Sequence, residues 1–243
     1  MNSRKRLFIA LFVAFITFSE LAVAQAPSGI PDISGSWERA REASIPAQGQ
    51  PPLKPQFMKE WQVRQQAARD ASAKGAPIAE RVVHCLPDGM PGMMAGPFPM
   101  EILQSKGQVT IIQEAYTQVR RIQLDKQQKP VDDVEPGFYG NSVGRWEGNT
   151  LVVDTVGVRE NVRYQNVPHS KDLHIRERFS LGANGILRDE ITMEDPTIFE
   201  KPWTFTFGYR RMPDYLLLEY ICEDNRQYTD EKGIQQIRVQ PAK

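Results

Sequence analysis

The side chains best suited to moving protons in this sequence are three histidines, His84, His169 and His174, and the carboxylates near them. In the run from Leu173 to Ser180, strand alternation puts Leu173, Ile175, Glu177 and Phe179 on one face and His174, Arg176, Arg178 and Ser180 on the other. The first face is apolar with a single carboxylate. The second is cationic with an imidazole. In Thr150–Val156, Val152 and Asp154 share a face. If Asp154 meets His174 in a cavity, the two form a base and the acid that orients it. His169 lies in a loop beside Pro168, well placed at a barrel mouth for proton transfer, the work imidazole does at physiological pH. The candidate catalytic set is therefore His169, His174, Asp154 and Glu177. The same residues also fit a solvated outer face with arginine–carboxylate pairs across strands.

Other chemistries find less support. Gly140-Asn-Ser142-Val-Gly144 has the G-x-S-x-G spacing of a nucleophile elbow, which needs a strand before the serine and a helix after it. Here a Gly/Pro loop precedes the serine and a hairpin follows, so Ser142 is read as a decoy. A histidine-only zinc site would need all three histidines. His169 and His174 have a spacing that shares a face in neither a helix nor a strand, so no metal is expected. The absence of a phosphate-binding glycine loop or flavin fingerprint argues against a cofactor.

Residues suited to holding an apolar molecule are easier to find. Trp203, Phe205, Phe207 and Tyr209 alternate along one strand and offer a broad aromatic surface, as core or as a cavity wall. Trp146 and Tyr139 are added to this candidate ligand-binding set. Arg176 or Arg178 would fix a polar end. Met90, Met93, Met94 and Phe98 lie in a Pro/Gly-rich loop and suit either a soft lid over such a cavity or packing onto the barrel.

The elements that must position these residues are mostly strands. Ser34–Glu38 reads as the first. Pro46, Pro51, Pro52 and Pro55 make an extended connection. Phe57–Ser72 is the one clear helix, with Phe57, Met58 and Trp61 able to share a face and Gly75-Ala76-Pro77 ending it. Beyond Met100, short β-branched and aromatic runs alternate with turn signals. Four hairpins are expected, around Lys106-Gly107, Gly148-Asn149, Ala183-Asn184-Gly185 and Met212-Pro213-Asp214, the last pairing Pro202–Tyr209 with Tyr215–Cys222. A short strand through Ile234–Val239 is expected in the tail. The fold class is mainly β: an antiparallel meander of about nine or ten strands, closed into a barrel to remove its edges, with one N-terminal helix. It forms a single domain over residues 25–243, irregular from about 39 to 99.

The N-terminus reads as an export signal: a basic start with Arg4, Lys5 and Arg6, an apolar run from Leu7 to Phe18, and Ala22-Val23-Ala24 before the cut. A run of about 12 residues is too short to span a bilayer, which takes about 20. The expected compartment is the periplasm or the exterior, and the mature chain is not an integral membrane protein. Removing residues 1–24 leaves 27 basic and 29 acidic side chains, a near-neutral balance that argues against nucleic acid or an anionic membrane as the main partner. Only two cysteines exist, Cys85 and Cys222. In an oxidising compartment the pair is expected as a disulfide, worth on the order of 4–5 kcal/mol in the chain-entropy account of so long a loop.

Two resemblances follow from these motifs. Gly35-Ser36-Trp37, at the start of a β-rich body, resembles the first-strand G-x-W of lipocalins and related calycins, in which the Trp packs across the barrel's closed end. The longer segment from Ser142-Val-Gly-Arg-Trp-Glu147 through Leu151-Val-Val-Asp-Thr155, then Pro168-His169-Ser170, Leu173-His174 and Glu177-Arg178-Phe179, resembles a widespread family of exported bacterial proteins with the patterns SVGRWEGDTLVVDT and PHS…LH…ERF. Cys85-Leu-Pro87 and Asp195-Pro196 belong to the same likeness, which covers nearly the whole mature chain. It departs at Asn149, where the pattern has Asp, a change a turn tolerates. The likeness implies export, one domain and a lipocalin-like barrel, and brings no settled activity.

Two functions are compatible with these observations. One is a barrel that binds a small apolar or amphipathic molecule in its cavity. The other is a cofactor-independent isomerase, lyase or hydrolase using histidine and carboxylate acid–base chemistry in that cavity.

Overall fold

Strand after strand alternates a buried side chain with an exposed one, and the sheet so formed has no free edge. In the computed structural model, which describes residues 29–74, 85–221, 227–229 and 235–237, nine strands close into a barrel. They are β1 (Gly35–Arg39), β2 (Met100–Ser105), β3 (Gln108–Gln113), β4 (Gln118–Leu124), β5 (Asn141–Glu147), β6 (Thr150–Val156), β7 (His174–Leu181), β8 (Ile186–Glu194) and β9 (Trp203–Arg211). The expectation of a calycin-like, mainly β barrel holds. Residues 1–24, the expected signal, lie outside the described residues, as do His84 and Cys222, one end of the expected disulfide.

Closure is made by β1. Trp37 sits opposite Met100 of β2 on one side and Arg211 of β9 on the other. Its ring is fully buried, its indole N–H donates to the Ile33 carbonyl at 3.0 Å, and the Arg211 guanidinium lies 4.3 Å over the ring. Arg211 also donates to the carbonyls of Ser34 and Asp32. The cation therefore both covers the tryptophan and ties the incoming chain to the last strand.

The meander has one exception. β4 and β5 run parallel, with Ile122 opposite Ser142 and Leu124 opposite Gly144. The 125–140 connection is long enough to carry the chain back to the end where β4 began, as a parallel pairing requires. All other neighbouring strands of the barrel are antiparallel.

The expected fourth hairpin does not form. β9 is present, but Tyr215–Ile221 is not a strand. Both edges of β9 are already taken, by β8 and β1, so nothing remains for a returning strand to pair with. The segment instead crosses the surface: the Ser36 hydroxyl donates to the Tyr215 carbonyl at 2.7 Å, and Glu114 accepts from the Tyr215 hydroxyl at 2.7 Å and from the Leu218 amide at 2.9 Å. In the tail, β10 (Gln227–Thr229) and β11 (Gln235–Ile237) pair with each other.

The expected helix is α1 (Pro55–Ala73), started by a proline whose missing N–H costs nothing at that position. Phe57, Met58 and Trp61 pack against the barrel core. A short second helix, α2 (Gly92–Ala95), carries Met93 and Met94. With Met90 they are buried in the core cluster. The Met93 carbonyl accepts from the Gln113 amide at 2.9 Å, and the Met94 carbonyl from the Tyr209 hydroxyl at 2.7 Å. These bonds make the methionine loop a packed plug. Among the described residues, no helix is long and apolar enough to cross a membrane.

Candidate functional site

The four side chains singled out for acid–base chemistry lie in three separate places. His174 and Asp154 do meet, with His174 Nε2 3.0 Å from Asp154 Oδ1, but on the outer face of the barrel. Asp154 also accepts from Arg145 and Arg176, each at 3.1 Å. Glu194 flanks the other ring nitrogen at 3.4 Å. Arg178 reaches Glu147, not the interior. Partial burial on its own raises the Asp154 carboxyl. The hydrogen bonds and charge of Arg176, with Arg145 and His174 behind them, outweigh it and hold Asp154 below the usual carboxylate range. Solvent-facing pairs of this kind contribute little each, about 0–1 kcal/mol. Arg176 and Arg178 are therefore engaged outside and do not fix a ligand within.

His169 is buried in the loop before β7. Its Nε2 lies 2.7 Å from the Val162 carbonyl and its Nδ1 2.9 Å from the Ser170 carbonyl. Both nitrogens face backbone carbonyls, and a ring carrying one N–H donates to one of them. Next to it, Asp195 accepts from the Ser170 amide and hydroxyl, so the segment is pinned from two sides.

Glu177, on the inward face of β7, belongs to a polar cluster inside the barrel. It accepts two hydrogen bonds from Arg120 of β4, one at 2.7 Å and a shorter one. Arg120 also donates to Ser142 Oγ and Thr155 Oγ1, which lie 2.8 Å from each other. Both charged groups are essentially excluded from water, at 1% and 0% exposure. Ser142 is thus a strand residue committed to an arginine, in keeping with its strand–hairpin setting. Asp189 of β8 sits between Phe179 and Phe207 in the strand register and is fully buried. Neither of its oxygens has a hydrogen-bond partner among the described residues. Burial, reinforced by the Glu177 charge and opposed by Arg120 and Arg39, pushes its carboxyl well above the ordinary range. Asp189 therefore holds its proton to higher pH than an ordinary carboxyl.

A cavity of about 530 Å³ lies beside the start of β9, within the size range of small-molecule sites. Trp203, Phe205 and Phe207 form one wall. Tyr164, Trp61 and the proline-containing chain from Ser44 to Pro51 form the others. The rings are mutually packed: Phe205 lies 5.2 Å from both Trp203 and Phe207, and 5.1 Å from Tyr164. Helix α1 holds the Tyr164 wall in place, since Trp61 and Gln65 both donate to the Gln165 carbonyl, at 3.1 and 2.8 Å. Burial raises the Tyr164 hydroxyl, so it stays a neutral phenol. The opposite rim is set by a tight approach at Gly208, where a Cβ would stand 2.6 Å from Ala43. That absence lets the turn at Arg41–Ala43 lie on β9, with Ser44 accepting from the Gly208 amide at 3.0 Å.

Of the expected ligand-binding residues, Trp203, Phe205 and Phe207 line this cavity. Tyr209 does not: it is buried deeper, and its hydroxyl is engaged by Met94. Trp146 and Tyr139 pack against the core elsewhere. Burial, with the Asp88 charge adding to it, pushes Tyr139 up to about 12. The sequence reading missed Arg39, Tyr164 and Trp61 in the cavity, and Arg120 and Asp189 in the interior. Arg39 had a usable signal, because alternation from Trp37 places it on the same inward face. Tyr164 had none, lying in an irregular turn. Among the described residues, no three His, Cys, Asp or Glu side chains gather as a metal site would require.

Fold and cavity together define a closed β-barrel with an aromatic-walled chamber at one flank. No family model matches the sequence, and no curated protein matches it.

Proposed function

We propose that this protein is an exported β-barrel that binds a small apolar or amphipathic molecule in the cavity walled by Trp203, Phe205, Phe207, Tyr164 and Trp61. The observation that carries the reading is this aromatic chamber itself, large enough for a guest of two or three rings and walled by the outer end of the core's aromatic stripe. The acid–base alternative lacks a comparable constellation, because His169, His174 and Glu177 occupy three separate surroundings.

A neutral fluorescent probe, N-phenyl-1-naphthylamine, tests it. Its emission is expected to rise on binding the purified mature protein. Phe205→Ala is expected to weaken that binding about tenfold or more, as loss of a central aromatic anchor does, and His174→Ala to leave it unchanged. No rise, or equal binding by Phe205→Ala, overturns the reading.

Export rests on the N-terminal basic–apolar–small pattern and on the two cysteines. Cleavage after Ala24 and a Cys85–Cys222 crosslink are the expected state of the secreted chain. Titrating thiols in the denatured, unreduced protein checks the second point. The expected result is none, and two free thiols would exclude the crosslink.

A further inference from the structure

The charged side chains that line the cavity are both cationic. Its lining includes Arg39 and Arg41 and no carboxylate. Arg39 projects inward from β1, and its guanidinium lies 4.1 Å over the Phe207 ring and 5.7 Å from that of Tyr209. Its hydrogen bonds go to neutral oxygens, the Met94 carbonyl at 3.1 Å and the Ser44 hydroxyl at 3.3 Å. Among the described residues neither Arg39 nor Arg41 has a carboxylate within ion-pair distance, whereas nine other arginine, lysine or histidine side chains do. The buried Asp189 carboxyl acts on Arg39 through space but makes no ion pair with it. A half-buried guanidinium set on aromatic faces with no carboxylate paired to it is unusual, because burying a charge is costly unless it is paired.

Two further donors are unsatisfied there. Arg39 Nε and the Trp203 indole N–H are both buried and without an acceptor among the described residues. An unmade bond of this kind costs on the order of 1–3 kcal/mol. Both atoms are shut off from solvent, so a guest that recovers them must shift their surroundings as it enters. The missing partner is therefore an acceptor, and at Arg39 an anionic one, attached to a body flat enough to lie among the aromatic rings.

Resting on the binding reading above, we infer that the guest is an aromatic anion, with its carboxylate or equivalent acid group at Arg39 and its rings between Trp203, Phe205, Phe207 and Tyr164. The guanidinium fork is suited to such a group, since it can donate two parallel hydrogen bonds to a carboxylate. Arg41, at the exposed rim, adds attraction at longer range.

Calorimetric titration with 2-naphthoate and with its neutral analogue 2-naphthylmethanol tests the inference on the intact mature protein. Naphthoate is expected to bind at least tenfold more tightly, with an affinity that falls as salt is added, while the alcohol's does not change. Arg39→Met keeps an apolar stem against Phe207 and removes the charge. It is expected to erase the preference of naphthoate over the alcohol, and Arg39→Lys to keep part of it. The salt dependence of the unaltered protein stands as evidence even if the Arg39 variants fail to fold. Equal binding of the two compounds, with no salt effect, overturns the anionic reading alone, provided N-phenyl-1-naphthylamine still binds. If none of the three compounds binds, the binding reading falls with it.

Discussion

Replacing Glu177 with leucine is expected to cost about 3–5 kcal/mol of folding stability at neutral pH, the range for breaking a buried ion pair from one side. Arg120 would be left inside the barrel with its charge intact, because a guanidinium does not give up its proton under such conditions. Its remaining partners, Ser142 and Thr155, are neutral hydroxyls. The double variant Arg120→Met/Glu177→Leu removes both charges and is expected to recover most of the loss, since well-packed apolar replacements of buried pairs are often neutral or better. Urea unfolding of the two single variants and the double variant measures the coupling directly. A loss below about 1 kcal/mol for Glu177→Leu would mean that the pair is not sealed from water.

Asp189 gives the second large effect, and its sign is opposite. In the unfolded chain this carboxyl releases its proton near its ordinary value of 3.8, whereas in the fold burial and the Glu177 charge keep the proton on. Above that pH the folded state binds more protons than the unfolded one. Stability from this group is thus complete below the unfolded value and declines as pH rises towards the folded one. Arg120 and Arg39 oppose the shift, and Tyr209 and Glu190 also face or adjoin the group. Asp189→Asn removes the linkage. The variant is expected to match the unaltered protein near pH 4 and then gain on it by up to about 1.4 kcal/mol per pH unit, the one-proton slope. Urea denaturation at intervals from pH 4 to pH 8 checks this. Parallel stability curves for the two proteins would show that Asp189 is ionised in the fold and has a partner.

Much of the barrel is legible in the chain. Turn signals at Lys106-Gly107, Gly148-Asn149 and Asn184-Gly185 mark three hairpins, and each forms. Alternation in β7 separates Glu177 from His174, Arg176 and Arg178, and the structure keeps that separation. The fourth hairpin failed for a reason no local pattern contains. Met212-Pro213-Asp214 does make a turn after β9, but the edge that a returning strand needs is already held by β1, more than 160 residues earlier in the chain.

The interior charges show a subtler division. Arg120 shares its phase with Ile122 and Leu124, and Asp189 with Leu187 and Ile191, so period-two reading alone marks both as inward. What that reading lacks is the partner. Arg120 and Glu177 are 57 residues apart and meet because β4 and β7 face each other across the barrel.

The histidine–carboxylate pair offers the same lesson from the other side. By itself the sequence determined that His174 and the arginines of β7 share one face, that Asp154 lies on a neighbouring strand, and that an aromatic stripe runs along β9. Only the tertiary structure decided what each face meets. It put His174 and Asp154 outside, enclosed Glu177 with Arg120, and brought Trp61, Tyr164, Arg39 and the β9 stripe around one chamber. The physical reason is that strand alternation defines two faces but does not say what lies opposite either one. That is settled when the sheet closes, by contacts between residues far apart in the chain.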